Sequence, residues 1–140
     1  MDDKILKAIR KNVETEPYAR KLGLKLVGLK PGYSLVEMTF TRDKENLFGM
    51  AHGGAVFSLI DEAFETASNS HGTVALALNM NITYHHGPEI NDILRAEARE
   101  ISKTSRTASY YIQVTNEKGT LIATSQALAY RKKDKLPFLP

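Results

Sequence analysis

The sequence predicts an α+β domain in which a largely buried central helix is enclosed by a curved antiparallel sheet, with an accessory helix at the N-terminus. Three observations predict it. Apolar groups at Ala55, Val56, Leu59, Ile60, Ala63, Phe64 and Ala67 form a face too wide for an ordinary surface helix, so a sheet should cover most sides of that helix. From Thr73 to His85 the period is almost strictly two, and further strand-like runs come after it with only short polar connections between them. No linker, internal repeat or low-complexity segment interrupts the 140 residues, so residues 1–140 are expected to form one domain.

Each element has its own signal. Ile5, Leu6, Ile9 and Val13 repeat at helical spacing over residues 3–15, and Pro17 then discourages continuation, giving the accessory helix. Two apolar runs, Leu22 to Lys30 and Tyr33 to Thr41, flank Lys30-Pro31-Gly32 and read as a hairpin, with Val36, Met38 and Phe40 alternating along its second strand. A polar loop through Arg42, Asp43, Lys44 and Glu45 leads into the central helix. The strand Thr73–His85 should carry Val74, Leu76, Leu78, Met80, Ile82 and Tyr84 on one face and Asn79, Asn81 and Thr83 on the other. Strands are expected near Asp92–Ser102, Thr107–Thr115 and Thr120–Arg131, so the order is α-β-β-α-β-β-β-β.

Composition narrows the function classes. A chain of this length buries roughly two-thirds of its unfolded surface without staples, and with no cysteine it has neither a thiol nucleophile nor a disulfide framework. The first sixteen residues mix acidic and basic groups without the apolar core of a signal peptide, so the mature chain is expected to begin here. No run approaches the roughly 18 apolar residues of a membrane span, and a soluble, cytoplasmic protein is expected. The net charge of +3 is modest, and Asp134 interrupts the basic Arg131–Lys135 segment, so neither a nucleic-acid nor a membrane partner is expected. His85 and His86 before Gly87-Pro88 lack any metal-ligand spacing and read as a strand-end turn. No metal is expected.

The most informative stretch is residues 46–64, NLFGMAHGGAVFSLIDEAF. Adjacent glycines at Gly53 and Gly54 admit a ligand close to the backbone, and unpaired amides at a helix start favour developing negative charge. Asp61 stands in a mostly apolar helix, where a carboxylate has little structural reason to be. It lies eight residues past Gly53, about 12 Å along a helix axis, too far for both to serve one reacting carbon. A second copy of the chain could close that gap.

Asn46, the His52-Gly53-Gly54 run and Asp61, followed by NMNITYHHGP, resemble the hotdog-fold acyl-CoA thioesterases of the phenylacetate-degradation type. The likeness extends from about residue 20 to about residue 131. It implies a hotdog fold, an acyl-CoA substrate with a small, medium-chain or aromatic acyl group, and no cofactor beyond the coenzyme A of the substrate itself. It also implies a homodimer, commonly paired into a dimer of dimers, with each site shared between two chains. By resemblance Asp61 is the catalytic carboxylate, either attacking the thioester or acting as general base for water, and the Gly53 amide is the oxyanion donor. Glu65, one turn later, is the substitute carboxylate.

Asn46 corresponds to the family's polar residue that approaches the thioester or positions water from the partner chain, although Asn is also a common turn residue. His52 should support the glycine loop, and Gly54 should lie against substrate. Lys103 and Arg106, on a polar connection, suit the phosphates of coenzyme A, yet each also reads as an ordinary surface charge. The chain departs from the family at Ala77, where relatives often place a Ser or Thr hydroxyl to orient water; Asn79 is the residue nearby that could replace it. That departure keeps open a noncatalytic acyl-CoA sensor on the same fold. A hotdog dehydratase or hydratase is disfavoured, because neither a proline-rich His-Phe-Pro segment nor an Asp-before-His loop is present.

Overall fold

The computed structural model describes residues 2–140. Helix α1 (Asp2–Glu14) is followed by a short helix α2 (Pro17–Leu22), then strands β1 (Lys25–Lys30) and β2 (Tyr33–Thr39). A single 3-10 turn at Arg42–Lys44 leads to the long helix α3 (Gly53–Asn69). Strands β3 (Thr73–Tyr84), β4 (Ile93–Lys103), β5 (Thr107–Thr115) and β6 (Leu121–Lys135) complete the chain. All six strands form one antiparallel sheet in the order β1-β2-β4-β5-β6-β3, which leaves β1 and β3 as its edges.

Helix α2 is absent from the expected order, and it takes Leu22, the residue at which the first strand was expected to start. Pro17 suits the first helical position, where no amide hydrogen is needed. Gly23, at φ 70°, then closes the helix with its N–H directed to the carbonyls of Ala19 and Arg20. A hydrophobic run interrupted by Gly23 therefore turns before it extends, and β1 begins at Lys25 rather than Leu22.

Sheet and helix bury each other. Leu59, Ile60, Ala63, Phe64 and Ala67 of α3 are essentially without exposure, and they pack on Val36, Leu94, Ile112, Val114 and Ala129 from successive strands. Phe64 meets the ring of Tyr110 edge-on at 5.5 Å between centroids. A second apolar cluster, Ile9, Val13, Leu29 and Leu136, seats α1 across β1 and the end of β6. The far end of α3 is fastened by polar contacts. His71 lies 2.7 Å from a Glu100 carboxylate oxygen, to which the Tyr110 hydroxyl also donates at 2.9 Å.

Strand β3 departs from the simple alternation. Ala77 pairs with Ala129 and Asn79 with Leu128, so Leu78 is an extra residue, a β-bulge that reverses the sidedness of the residues after it. Upstream, Leu76 lies opposite Tyr130 and faces away from α3; downstream, Met80 and Ile82 pack against the core. The continuous apolar face expected from Val74 to Tyr84 is thus split, and Leu76 and Leu78 are 53% and 57% exposed. An unpaired strand edge carrying exposed leucines is a surface that asks for cover.

Truncating the ring at the centre of the sheet and helix contact is expected to be costly. Phe64→Ala should lower unfolding free energy by about 3–5 kcal/mol, measured by denaturant titration; a loss under about 1 kcal/mol would show that α3 is not held by this packing.

Candidate active site

The chain approaches α3 through a tightly closed loop. The side-chain carbonyl of Asn46 accepts from the backbone N–H of Phe48 at 2.9 Å and of Met50 at 3.1 Å, while the Asn46 N–H donates to the Met50 carbonyl at 2.7 Å. Asn46 therefore shapes the loop, as its turn reading allowed, and only its Nδ2, at 3.4 Å from the Ala51 carbonyl, is loosely held. The loop presents Leu47 and Phe48 at its tip, 93% and 78% exposed.

The start of α3 has four amides without helical partners to supply. His52 is its N-cap residue, and its Nδ1 accepts from the Gly54 N–H at 2.9 Å. The His52 carbonyl accepts from Ala55 and Val56, and the His52 N–H is itself tied to the Lys44 carbonyl at 2.9 Å. One amide is left: among the described residues nothing accepts from the Gly53 N–H. His52 thus caps the helix and leaves one amide open.

Tyr84, at the end of β3, holds this amide in place. Its hydroxyl donates to the Gly53 carbonyl at 2.8 Å, fixing the residue that carries the free N–H. The approach is so close that a Cβ on Gly53 would stand 2.9 Å from the Tyr84 hydroxyl oxygen, and one on Gly54 would stand 3.0 Å from His52 Nδ1. Both positions need glycine for want of room rather than for backbone freedom. A cleft of about 610 Å³ opens beside Gly53, walled by Phe40, Met50, Val56, Tyr84 and Ile122. Its size lies in the range of small-molecule sites. Tyr84 is the member of this site that sequence reasoning passed over, because its alternation marked it only as a strand residue.

Asp61 lies two turns further on, along the one stripe of α3 that the sheet leaves open, together with Gly54, Phe57 and Glu65. It is exposed in the single chain, contrary to the expectation of a buried carboxylate. Crowding by the surrounding chain, followed by the charge of Glu16, nonetheless pushes the Asp61 carboxyl above the ordinary aspartate range. Neighbouring carboxyls are shifted further. Burial first, then the adjoining Glu16 carboxyl, raises Glu65 to about 8 and Glu62 to about 10, with the other nearby acidic charges adding to both.

The remaining expected residues scatter. The bulge at Leu78 carries Asn79 to the outer face of the sheet, in a shallow depression with Asn81, Gln126 and Leu128, so Asn79 does not stand in for a hydroxyl at Ala77. Ala77, opposite the fully buried Ala129, keeps its place on the helix side. Lys103 and Arg106 sit at the end of β4 away from Gly53. Arg106 lies next to Arg131, whose N–H donates to its carbonyl, whereas Tyr84 and Gly53 neighbour the other end of the sheet. At about 3.3 Å per residue the strand separates these ends by roughly 30 Å, so one chain does not bring the basic pair to the glycines.

Comparison with known proteins agrees with this geometry. The thioesterase superfamily model matches residues 48–123. The acyl-coenzyme A thioesterase PaaI of Escherichia coli is 30% identical over 84% of this chain and 84% of its own length. The solved structure of the E. coli PaaI protein from the phenylacetic acid degradation operon superposes with a TM-score of 0.91 at 28% identity, covering 96% of this chain and 97% of that one. A mutant of the phenylacetic acid degradation protein PaaI from Thermus thermophilus gives a TM-score of 0.80 at 35% identity, over 84% and 100% of the two chains. A protein of Archaeoglobus fulgidus is 39% identical over 83% of this chain and 75% of its own. The hotdog fold is the common element.

The raised glutamates make stability depend on pH with a definite sign. Unfolded, these side chains titrate near 4.5; folded, they retain protons to higher pH, so stability falls as pH rises from about 4.5 towards 8 and beyond. With a chelator present, Glu62→Gln should therefore gain stability relative to the native chain progressively between pH 5 and pH 8 in thermal unfolding. Parallel pH profiles for the two proteins would show that Glu62 is not perturbed.

Proposed function

This chain belongs to the thioesterase superfamily and is a thioester hydrolase, and from that premise we propose that it hydrolyses acyl-coenzyme A with a site built from two copies of the chain. The observation that carries the reading is the lone unbonded amide of Gly53, held by Tyr84 at the wall of an apolar cleft. A thioester carbonyl entering that cleft would accept from Gly53, and the donor would strengthen as the oxygen gains charge in the tetrahedral state.

Asp61 of the partner copy supplies the second function. Its carboxylate either adds to the acyl carbon, giving an anhydride that water then opens, or takes a proton from water as that water adds. In both routes the C–S bond breaks, the sulfur leaves as thiolate and is protonated, and the acid is released. Crowding by the chain, with the charge of Glu16 after it, suits the proton-accepting role, since raising the aspartate carboxyl strengthens it as a base.

Edge strand β3 with Leu76 and Leu78, and the loop tip with Leu47 and Phe48, leave large apolar groups open beside the exposed stripe of Asp61. A homodimer joined there would cover them and bring one chain's Asp61 towards the other's Gly53. In that arrangement Asn46 Nδ2 is free to reach substrate, and Lys103 and Arg106 meet coenzyme A phosphates only where a second copy brings the far strand ends to the site. Pairing of dimers into tetramers is part of the same proposal.

The cleft walls favour a small, medium-chain or aromatic acyl group, because Phe40, Val56, Tyr84 and Ile122 offer apolar surface of limited depth. Ala77, which brings no hydroxyl to the helix side, favours the second reading, an acyl-CoA sensor that binds without turnover.

Release of free coenzyme A from aromatic and straight-chain acyl-CoAs should distinguish the two. Asp61→Asn should lower kcat by about a hundredfold or more at unchanged fold and oligomeric state, while native protein that binds acyl-CoA without turnover would establish the sensor. Tyr84→Phe should lower kcat by about tenfold with little change in KM, since it loosens an oxyanion donor rather than removing it; unaltered kcat would remove Tyr84 from the site.

A further inference from the structure

Beside the catalytic stripe, on the side away from Gly53, the corner between α1 and α2 meets the second half of α3 over a cavity of about 540 Å³. Glu16 comes from that corner, and Glu62 and Glu65 come from α3, three residues apart and hence on adjoining positions of the helix. One carboxylate oxygen from each lies within 4.8 Å of the others. Glu16 and Glu65 line the cavity, so the cluster is open to solvent on one side.

Three acidic side chains in proximity are not in themselves a site, but two further facts concern how they are held. Glu62 is 5% exposed, and its Oε2 has no hydrogen-bond partner among the described residues, nor has the buried Oε1 of Glu16. Glu16 also occupies the N-cap position of α2, where its carboxylate could lie against free amides, yet it makes no capping bond and turns towards Glu62 and Glu65 instead. No lysine, arginine or histidine forms an ion pair with any of the three among the described residues. A buried carboxylate with an unpartnered oxygen, clustered with two others, is an arrangement that a positive charge would complete.

We propose that Glu16, Glu62 and Glu65 bind a divalent metal cation, with water from the adjoining cavity filling its remaining coordination positions. Ligand chemistry selects the class: three carboxylates with neither sulfur nor imidazole make a site for a hard cation. Coordination habit narrows it further. Calcium accepts several carboxylates in flexible geometry, whereas magnesium demands a near-ideal octahedron, keeps several waters and is usually held by one or two carboxylates. Three protein carboxylates therefore suit calcium, or manganese, better than magnesium.

The cation would join two parts of the fold that otherwise meet through apolar packing and the Tyr18–Ser58 hydroxyl pair, at 2.8 Å. Because a carboxylate ligates only when deprotonated, binding should tighten as pH rises through the range in which these side chains ionise. Sequence reading expected no metal because it looked for histidine and cysteine spacing, and Glu16 is 46 positions from Glu62.

The test uses the full chain, freed of metal with a chelator and dialysed, then given calcium, manganese or magnesium chloride separately. Thermal unfolding and titration calorimetry should show one cation per chain. Calcium or manganese should raise Tm by about 5 °C at saturating concentration, and magnesium should do less. Glu62→Gln and, separately, Glu16→Gln should each weaken binding by about tenfold or more while remaining folded by circular dichroism; Glu16 stands at a half-buried corner, so that variant keeps the test decisive if Glu62→Gln does not fold. Tm unmoved by all three cations, or equal affinity in both variants and the native chain, would overturn the proposal and leave the cluster as proton-sharing carboxyls or as a socket for a basic residue of a second copy.

Discussion

The controlling constraint is the enclosure of a 17-residue helix by a single curved sheet. Burying Leu59, Ile60, Ala63, Phe64 and Ala67 against strand after strand supplies the apolar surface that holds the chain folded. It also limits where chemistry can reside. Only the start of α3 and one narrow stripe along it remain accessible, and the groups with the strongest candidate roles are found at those two places.

The helix start is arranged by subtraction. His52 satisfies Gly54 with its side chain and Ala55 and Val56 with its carbonyl, so the positive end of the helix is presented through Gly53 alone. Tyr84 reaches this residue from the end of an edge strand, which couples the position of the donor to the register of β3. The bulge at Leu78 is part of that register. Without the reversal it introduces, Tyr84 and Leu76 would share a side of the strand, and the hydroxyl would point away from the helix.

Along the open stripe the difficulty is electrostatic. Asp61 and Glu65 are exposed there, Glu62 is buried beside them, and Glu16 is added from a different element, so four acidic groups gather with no basic side chain paired to any of them among the described residues. Burial, and then the nearby negative charges, raise the cost of ionising Asp61, Glu62 and Glu65. A chain that keeps such a cluster against the helix bearing Asp61 holds charge that a base can use and a cation can neutralise.

Much of this was legible in the linear sequence, because local periodicity and turn chemistry act over a few residues. The wide apolar face of α3, the hairpin around Pro31-Gly32 and the later strands come from spacing alone, and Gly53, His52 and Asp61 are conspicuous for being the wrong residue types for a plain core helix. The misses were non-local or turned on one residue. The short helix Pro17–Leu22 carries too little periodicity to stand out and ends on the first residue of the run read as a strand, and one extra residue at Leu78 moved Asn79 to the opposite face. The partnership of Tyr84 with Gly53, 31 positions apart, and of Glu16 with Glu62 exists only after the sheet has wrapped the helix. Sequence by itself determined which residues could do chemistry; tertiary structure decided which of them meet, because distance in a folded chain is set by register and packing rather than by separation along the backbone.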